Sequence, residues 1–201
     1  MALGPRCPEG CEGRQWCERG LVAGVDEAGR GPLAGPVVAA AVILEGEHLL
    51  PEIKDSKQLR ASEREALYKF ITSHALSWAV AVVGPREIER LDILRASLEA
   101  MSRAVSKLEV VPSAVLVDGP HPIDDLSLPQ RPMVKGDALC PMIAAASIVA
   151  KVTRDRIMME YHRIYPQYGF SRHKGYPTRE HREALRRYGP SPIHRRNFRL
   201  L

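Results

Sequence analysis

Four acidic residues stand where strand-like segments end, and carboxylates placed in this way can hold divalent metal ions. The residues that share this position are Asp26, Glu27, Asp118 and Asp137. Acids at the end of a buried strand are costly to desolvate unless a cation or hydrogen bonds compensate them. If these strands are parallel neighbours, four carboxylates meet at one sheet edge, where their mutual repulsion requires a cation. An all-oxygen ligand set suits Mg²⁺ or Mn²⁺, and paired ions of this kind drive phosphodiester hydrolysis.

The turn after the first pair of acids is rich in glycine, with Gly29, Gly31 and Gly35. Glycine leaves the backbone N–H groups near Gly29 and Gly31 accessible to a ligand. The order G-x-G-x-x-x-G, followed by a strand rather than a helix, argues against a dinucleotide site. An alternative reading makes Asp26 and Glu27 ordinary turn residues of a hairpin, and their types alone do not exclude it.

Length and composition indicate a globular protein. The 201 residues and 22.3 kDa fit one domain, and 45% hydrophobic with 26% charged residues is ordinary for a folded chain. No apolar run is long enough to cross a bilayer, and the N-terminus lacks a basic-then-apolar signal pattern. We therefore expect a cytoplasmic protein that does not bind membranes.

The charge of the chain is unevenly distributed. From Lys151 to the C-terminus there are 13 Lys and Arg against 4 Asp and Glu, whereas the preceding residues hold 16 basic against 20 acidic ones. A basic surface that follows phosphates, combined with acids that hold metal, is the charge pattern of a nuclease. A basic face that meets only solvent is the alternative.

The four cysteines do not predict a metal site. Cys7, Cys11 and Cys17 lie in the N-terminal tail at spacings that match no zinc motif, and Cys140 stands alone. We expect free thiols in a reducing compartment.

Periodicity and turn residues predict alternating strands and helices. We expect a flexible leader over residues 1–19 and loop structure from Gly119 to Pro132. The predicted strands are Leu21–Val25, Val37–Leu44, Leu76–Val83, a strand ending at Asp118 and a short one from Met133. Four helices are predicted. One starts at a Ser62–Glu65 capping box, and one covers the apolar repeat from Leu94 to Leu108. The other two extend from Pro141 to near Ile164 and from Thr178 to Tyr188.

The helix predicted from Pro141 carries Ser147, Lys151 and Arg154 on one side. This side could meet phosphates, but Lys151 and Arg154 could equally be surface charges. Residues 165–201 interleave aromatics, glycines and bases, which predicts a basic segment of short helices packed on a catalytic domain of residues 20–164.

Several motifs together resemble the ribonuclease HII family. In chain order they are Gly24–Val37, Asp55–Lys57, Leu116–Gly119, Lys135–Asp137, Ala144–Asp155 and Tyr168–Thr178. They extend over nearly the whole chain from Leu21 to Phe198, and the leader lies outside the resemblance. The resemblance implies an α/β fold of the RNase H-like type, with a central mixed β-sheet flanked by helices and a small basic C-terminal helical extension.

The resemblance also implies an activity and site residues. The family cuts RNA in RNA–DNA hybrids and nicks on the 5′ side of single ribonucleotides in duplex DNA. By motif match, the metal-binding and catalytic acids are Asp26, Glu27, Asp118 and Asp137. The substrate-binding positions are Gly29, Arg30, Gly31, Ser56, Lys57, Ser147, Lys151, Lys174 and Tyr176. Tyr176 would lie at the junction of RNA and DNA.

The expected reaction is Mg²⁺- or Mn²⁺-assisted hydrolysis, carried out by a monomer, that leaves a 5′-phosphate and a 3′-hydroxyl. Recognition of ribose requires a group that senses the 2′-hydroxyl, and the Gly29–Gly31 turn and Tyr176 are the candidates. Two alternatives remain. A junction resolvase of the same fold would share the acids without a 2′-hydroxyl sensor, and a non-catalytic nucleic-acid-binding module would not need the acids.

Overall fold

The computed structural model describes residues 13–18, 20–44 and 59–201. Ser56 and Lys57, which the sequence predicts to bind substrate, lie outside the described residues. The strands are β1 (Val22–Ala28), β2 (Val37–Ile43), β3 (Ser77–Val83), β4 (Ala114–Asp118) and β5 (Gln130–Met133). The helices are α1 (Arg14–Cys17), α2 (Ala61–His74), α3 (Pro85–Leu91), α4 (Ile93–Ser106), α5 (Gly136–Leu139), α6 (Pro141–Ile164), α7 (Phe170–His173) and α8 (Arg179–Tyr188).

The strands form a mixed sheet in the order β3-β2-β1-β4-β5. β1 and β2 are antiparallel, as are β2 and β3, whereas β1 pairs with β4 in parallel and β4 pairs with β5 in parallel. The parallel pairing of β1 with β4 places the C-terminal ends of both strands at the same edge. The mixed sheet with flanking helices confirms the predicted fold class.

Helices cover both faces of the sheet. The apolar face of α4 packs on one side, where Ala23 and Val25 of β1 point, and α6 covers the other. Alternation along β1 therefore directs Asp26 toward the α6 face. The sheet needs Gly24 at the point where α6 begins, because a Cβ there would lie 2.2 Å from the Met142 carbonyl carbon.

Three local predictions were wrong. The last strand is Gln130–Met133, inside the predicted loop, and Asp137 lies in the short helix α5 rather than after a strand. Helix α2 begins at Ala61 instead of at a Ser62–Glu65 capping box, and Glu63 accepts the hydrogen bond from the Arg60 N–H at 2.6 Å. A helix, α3, also follows Gly84, where the sequence predicts only the end of a strand.

The C-terminal residues contact the turn between β1 and β2. The Leu33 N–H donates to the Gly175 carbonyl at 2.8 Å, and the Arg195 N–H donates to the Leu33 carbonyl at 2.9 Å. Ala34 and His194 form an isolated β-bridge. The basic C-terminal segment is therefore joined to the turn that follows the first two acids.

The N-terminal residues that the structure describes are partly helical. Arg14–Cys17 form one helical turn, and the Cys17 side chain is buried beside Trp16. This part of the predicted leader is folded. Within the described ranges, no helix has the length and apolar character needed to cross a membrane.

Candidate active site

A cleft of about 410 Å³ opens at the edge of the sheet where β1 and β4 end. It brings together ten of the predicted site residues, namely Asp26, Glu27, Asp118, Asp137, Gly29, Arg30, Gly31, Ser147, Lys151 and Tyr176. Its remaining lining residues are Ala28, Arg64 and Ile148. The four acids and the glycine turn thus share one cleft, although they come from three separate parts of the chain.

The four acids are placed by three different elements. Asp26 and Glu27 belong to the last residues of β1, Asp118 ends β4, and Asp137 lies in the first turn of α5. The Asp137 N–H donates to Asp118 Oδ1 at 3.3 Å, which links α5 to the end of β4. The Glu27 N–H donates to Asp26 Oδ1 at 2.6 Å. The acids are therefore held by backbone hydrogen bonds as well as by the sheet.

The surroundings of the first two acids disfavour their charged forms. Burial, followed by the neighbouring carboxylates of Glu27 and Asp118, raises the pKa of Asp26 well above its usual range, and a hydrogen bond from Ser147 opposes this rise. Burial also raises the pKa of Glu27, while Arg30 opposes it across 3.4 Å. Negative charge in the cleft is therefore incompletely compensated by the protein.

The donor set of the cleft fits a divalent cation. Glu27 Oε2 is buried and has no hydrogen-bond partner in the described part of the chain. A buried carboxylate oxygen without a partner, beside acids that repel one another, is a position that a cation would stabilise. Within residues 13–18, 20–44 and 59–201, no three acidic, histidine or cysteine side chains already converge as the ligands of one ion. The carboxylate oxygens suit Mg²⁺ or Mn²⁺.

Two buried arginines hold the turn after β1 by hydrogen bonds to its carbonyl groups. Arg195 donates from Nε to the Gly35 carbonyl at 2.9 Å, from Nη1 to the Arg30 carbonyl at 3.0 Å and from Nη2 to the Gly29 carbonyl at 2.6 Å. Arg154 of α6 donates from Nε to the Pro36 carbonyl at 3.0 Å. Both guanidiniums are fully buried.

These positions correct the sequence-based hypotheses for both residues. Arg154 was open to two readings, phosphate contact or surface charge, and neither holds because its side chain is inside the protein. Arg195 belongs to a C-terminal run of bases that predicts phosphate contact, but it bonds the turn instead. Neither role is visible in the sequence, because burial of an arginine depends on backbone carbonyls far away in the chain.

Gly29 is required by this packing. Its φ is +105°, and a Cβ at this position would lie 2.2 Å from Arg154 Nε and 2.6 Å from the Pro36 carbonyl oxygen. A side chain there would displace the buried guanidinium. The glycine is therefore required for the shape of the turn.

Tyr176 reaches the cleft from the C-terminal segment, and the residue is 41% exposed. A Cβ on Gly31 would lie 3.6 Å from Tyr176 Cε1, so the ring stands beside the glycine turn. The guanidinium carbon of Arg154 lies 5.8 Å from the ring centroid. Gly175, with φ of +87°, permits the bend just before the tyrosine.

Two buried histidines hold the backbone of Tyr176. The Ser191 N–H donates to His194 Nδ1 at 2.9 Å, so the proton of the neutral His194 ring is on Nε2. That N–H donates to His181 Nε2 at 3.0 Å, and His181 Nδ1–H in turn donates to the Tyr176 carbonyl at 2.9 Å. Burial lowers the pKa of His181 and of His194 to about 4, which favours these neutral tautomers.

The other predicted substrate contacts are placed differently. Lys151 lines the cleft and bonds Asp155 at 2.6 Å. Lys174 does not line the cleft, because its Nζ donates to the Ser171 carbonyl, and burial lowers its pKa. Arg64 of α2 lines the cleft and was not anticipated, because nothing in the sequence brings α2 to the acids.

Comparisons with known proteins agree with this geometry. The family model described as Ribonuclease HII matches residues 23–201. The Ribonuclease HII of Caldanaerobacter subterraneus subsp. tengcongensis is 54% identical over 183 residues, covering 90% of this chain and 76% of the relative. That of Syntrophus aciditrophicus is 56% identical over 180 residues, covering 90% of this chain and 84% of the relative.

Among solved structures, ribonuclease H2 from Pyrococcus horikoshii superposes with a TM-score of 0.74 at 29% identity, covering 90% of this chain and 94% of that one. The resemblance read from the motifs is therefore confirmed. The chain belongs to the ribonuclease HII family and is an endoribonuclease of the ribonuclease H type.

Proposed function

We propose that the chain hydrolyses the RNA strand of RNA–DNA hybrids and nicks duplex DNA on the 5′ side of single embedded ribonucleotides. The observation that carries this proposal is the single cleft that combines four acids, the Gly29–Gly31 turn and Tyr176. Acids alone would serve a nuclease of any specificity. An accessible glycine backbone beside an exposed aromatic ring adds the means to test a sugar for its 2′-hydroxyl.

The acids Asp26, Glu27, Asp118 and Asp137 are proposed to hold divalent cations, Mg²⁺ or Mn²⁺. Bound there, such ions activate water and stabilise the leaving oxygen in phosphodiester hydrolysis. Two observations support this role: Glu27 Oε2 has no hydrogen-bond partner in the described part of the chain, and the pKa of Asp26 is raised. Ser147 keeps Asp26 oriented through its hydrogen bond, and Lys151 adds positive charge at the wall of the cleft.

We propose that the Gly29–Gly31 turn and Tyr176 recognise the ribonucleotide. The backbone of Gly29, Arg30 and Gly31 approaches the sugar and phosphate closely, because the two glycines present no side chain. Tyr176 can stack on a base or sugar and donate its hydroxyl. The expected products are a 5′-phosphate and a 3′-hydroxyl.

We further propose that the protein works as a monomer in the cytoplasm. The four acids, the Gly29–Gly31 turn and Tyr176 meet in one cleft within a single chain, which supports a monomer.

The test is cleavage of three matched substrates in the presence of Mg²⁺ or Mn²⁺. These are an RNA–DNA hybrid, a DNA duplex with one ribonucleotide, and the same duplex made only of DNA. The proposal expects cleavage of the first two and none of the third, and no cleavage by Asp118→Asn. Cleavage of the all-DNA duplex would favour a nuclease of the resolvase kind and would contradict the proposal.

A further inference from the structure

Arg154 and Arg195 are cations buried inside the protein. Both side chains are fully buried, and neither forms an ion pair with any carboxylate in the described part of the chain. Removing a guanidinium from water is costly even when its N–H groups are satisfied. A hydrophobic side chain of similar volume would fill this space at lower cost. The arginines therefore indicate a role for their charge or for the arrangement of their N–H donors.

The N–H groups of Arg195 donate hydrogen bonds to the carbonyls of particular peptide groups. Its two terminal nitrogens bond the carbonyls of Gly29 and Arg30, the consecutive residues at the rim of the cleft. Arg154 bonds the far part of the same turn, at Ala34 and Pro36. Of the two arginines, Arg195 is therefore the one that fixes the orientation of the peptide groups nearest to the acids.

The direction of these carbonyls fixes the direction of two N–H groups. A trans peptide is planar, and its C=O and N–H point in opposite directions. The chain has no cis peptide bonds among its described residues, so the N–H groups of Arg30 and Gly31 point away from Arg195. Both residues are exposed and line the cleft, and no described residue accepts a hydrogen bond from either N–H.

We propose that Arg195 is a positioning residue for ribose recognition, which aims the N–H groups of Arg30 and Gly31 at the 2′-hydroxyl oxygen of a bound ribonucleotide. This inference rests on the proposed function and assigns to it a residue outside the cleft. The guanidinium fork holds two successive peptides at once, which a lysine ammonium cannot do in the same geometry. Its charge also polarises both peptides and strengthens their N–H groups as donors.

Binding without chemistry tests this role. The affinity of the protein for a DNA duplex with one ribonucleotide is compared with its affinity for the matched all-DNA duplex, by fluorescence anisotropy in EDTA. The ratio of the two affinities is the ribose preference. The two duplexes carry the same phosphates, so a contact made only to phosphate cancels in this ratio.

Arg195→Lys keeps the charge but loses the fork. We expect its ribose preference to fall about tenfold, the effect of misaligning a hydrogen bond to the substrate, with little change in affinity for the all-DNA duplex. Leu98→Ala is the matched control, because it weakens the core beneath α4, away from the cleft. At a temperature where all variants are folded, Leu98→Ala should keep the wild-type preference.

A second pair of variants tests the N–H directly. Arg30→Pro removes the N–H and the side chain together, whereas Arg30→Ala removes the side chain alone. We expect Arg30→Pro to lose about as much preference as Arg195→Lys, and Arg30→Ala to lose clearly less. Arg30→Pro combined with Arg195→Lys should lose little more than either change alone, because both act on one interaction.

The outcomes separate this inference from the proposed function. A wild-type chain with no ribose preference would overturn both. A wild-type preference that survives in folded Arg195→Lys would make Arg195 a scaffold residue and would overturn the inference alone. If Arg195→Lys does not fold, equal preferences in Arg30→Pro and Arg30→Ala would overturn it instead.

Discussion

Asp26 and Glu27 are buried acids that the fold stabilises only in part. Burial and neighbouring carboxylates raise the pKa of Asp26, and one oxygen of Glu27 has no partner in the described part of the chain. A carboxyl with a raised pKa in the folded state favours folding at low pH, and this contribution is lost as pH rises through the folded pKa. At neutral pH the charge on Asp26 therefore destabilises the protein without metal.

Asp26→Asn should consequently stabilise the metal-free protein at pH 7 while it abolishes cleavage. We expect a higher Tm, by about 2–4 °C for each kcal/mol recovered, and a loss of activity by several orders of magnitude. Adding Mg²⁺ or Mn²⁺ should raise the Tm of the wild type but not that of the variant. Thermal melts with and without metal measure both effects.

Asp124→Asn is the control for this prediction, because Asp124 is exposed and lies outside the cleft. Its Tm should respond to metal as the wild type does. An Asp26→Asn protein that melts lower than the wild type without metal would show that the Asp26 charge is already compensated.

Tyr176 should contribute to recognition through both its hydroxyl and its ring. Tyr176→Phe should lose about 0.5–1.5 kcal/mol, the contribution of a neutral hydrogen bond, and Tyr176→Ala roughly 1–3 kcal/mol more through lost stacking. Both losses should be larger on a single ribonucleotide than on a continuous hybrid, where neighbouring riboses offer further contacts. The measurement is kcat/KM on the two substrates.

Tyr188 provides the comparison, because this residue is 48% exposed, close to the 41% of Tyr176, but lies outside the cleft. Tyr188→Ala should leave the ratio of the two kcat/KM values unchanged. Equal losses on both substrates in the Tyr176 variants would assign that residue to the scaffold.

Single residues differ in how well the sequence predicts them. Asp26, Glu27 and Asp118 follow from carboxylates at strand ends, and the structure brings them to one cleft. Arg154 and Arg195 could not be predicted, because their partners are main-chain carbonyls and the carbonyl direction carries no sequence signal. Lys174 looked like a phosphate contact, but its Nζ bonds Ser171.

At the scale of elements, histidines connect α8 to His194 of the C-terminal segment and to the backbone at Tyr176. His181 of α8 bonds both His194 and the Tyr176 carbonyl, and the ring of His173 stacks on His181 with centroids 4.5 Å apart. In the tautomers described above, both ring nitrogens of His181 and of His194 are in use. Protonation of either ring would turn an acceptor into a donor and break the chain of hydrogen bonds.

Stability should therefore fall as the pH is lowered from about 6.5 toward 4. The pKa of His181 and of His194 is lowered to about 4 in the folded state, so the unfolded chain takes up more protons in this window. Each histidine can contribute up to about 1.4 kcal/mol per pH unit there. Urea unfolding at a series of pH values should show a shallower dependence in His181→Gln than in the wild type.

His121→Gln is the matched substitution, since His121 is exposed and stands outside this group of histidines. Its pH dependence should follow the wild type. A wild-type slope that persists in His181→Gln would mean that other groups, such as the acids, govern stability in this range.

Elements with a strong period were predicted better than short ones. The apolar repeat from Leu94 to Leu108 gives α4, and the long helix from Pro141 to Ile164 was predicted with its observed bounds. β5 was missed because Gln130–Met133 contains a proline and little apolar sequence, and its pairing with β4 comes from the tertiary fold. The α5 turn that holds Asp137 is too short to show a period.

At the scale of the whole molecule, basic residues of the C-terminal quarter have two separate roles. Arg195 is buried in the turn, whereas its neighbour Arg196 is exposed. Buried charges of this kind release no counterions when nucleic acid binds, but an exposed arginine at a phosphate does. The positive balance of this region therefore overstates its contribution to electrostatic binding.

Arg196→Gln should flatten the salt dependence of duplex binding by about 0.9 in log–log slope if one phosphate contact is lost. The linkage that is cut should not change, because phosphate contacts carry no sequence or sugar information. Binding measured over a series of salt concentrations tests this. Arg95→Gln is the control, because Arg95 lies on the exposed surface of α4 beside Asp92, and this variant should keep the wild-type slope. An unchanged slope in Arg196→Gln would mean that the Arg196 side chain meets only solvent.

The proposed function is tested most directly by mapping the cut in a DNA duplex that holds one ribonucleotide. We expect one nick on the 5′ side of that ribonucleotide, with a 3′-hydroxyl on the upstream DNA and a 5′-phosphate on the ribonucleotide. The nick should require Mg²⁺ or Mn²⁺ and should be absent with Asp118→Asn. A cut on the 3′ side, a 2′,3′-cyclic phosphate end, or nicks elsewhere in the DNA would contradict it.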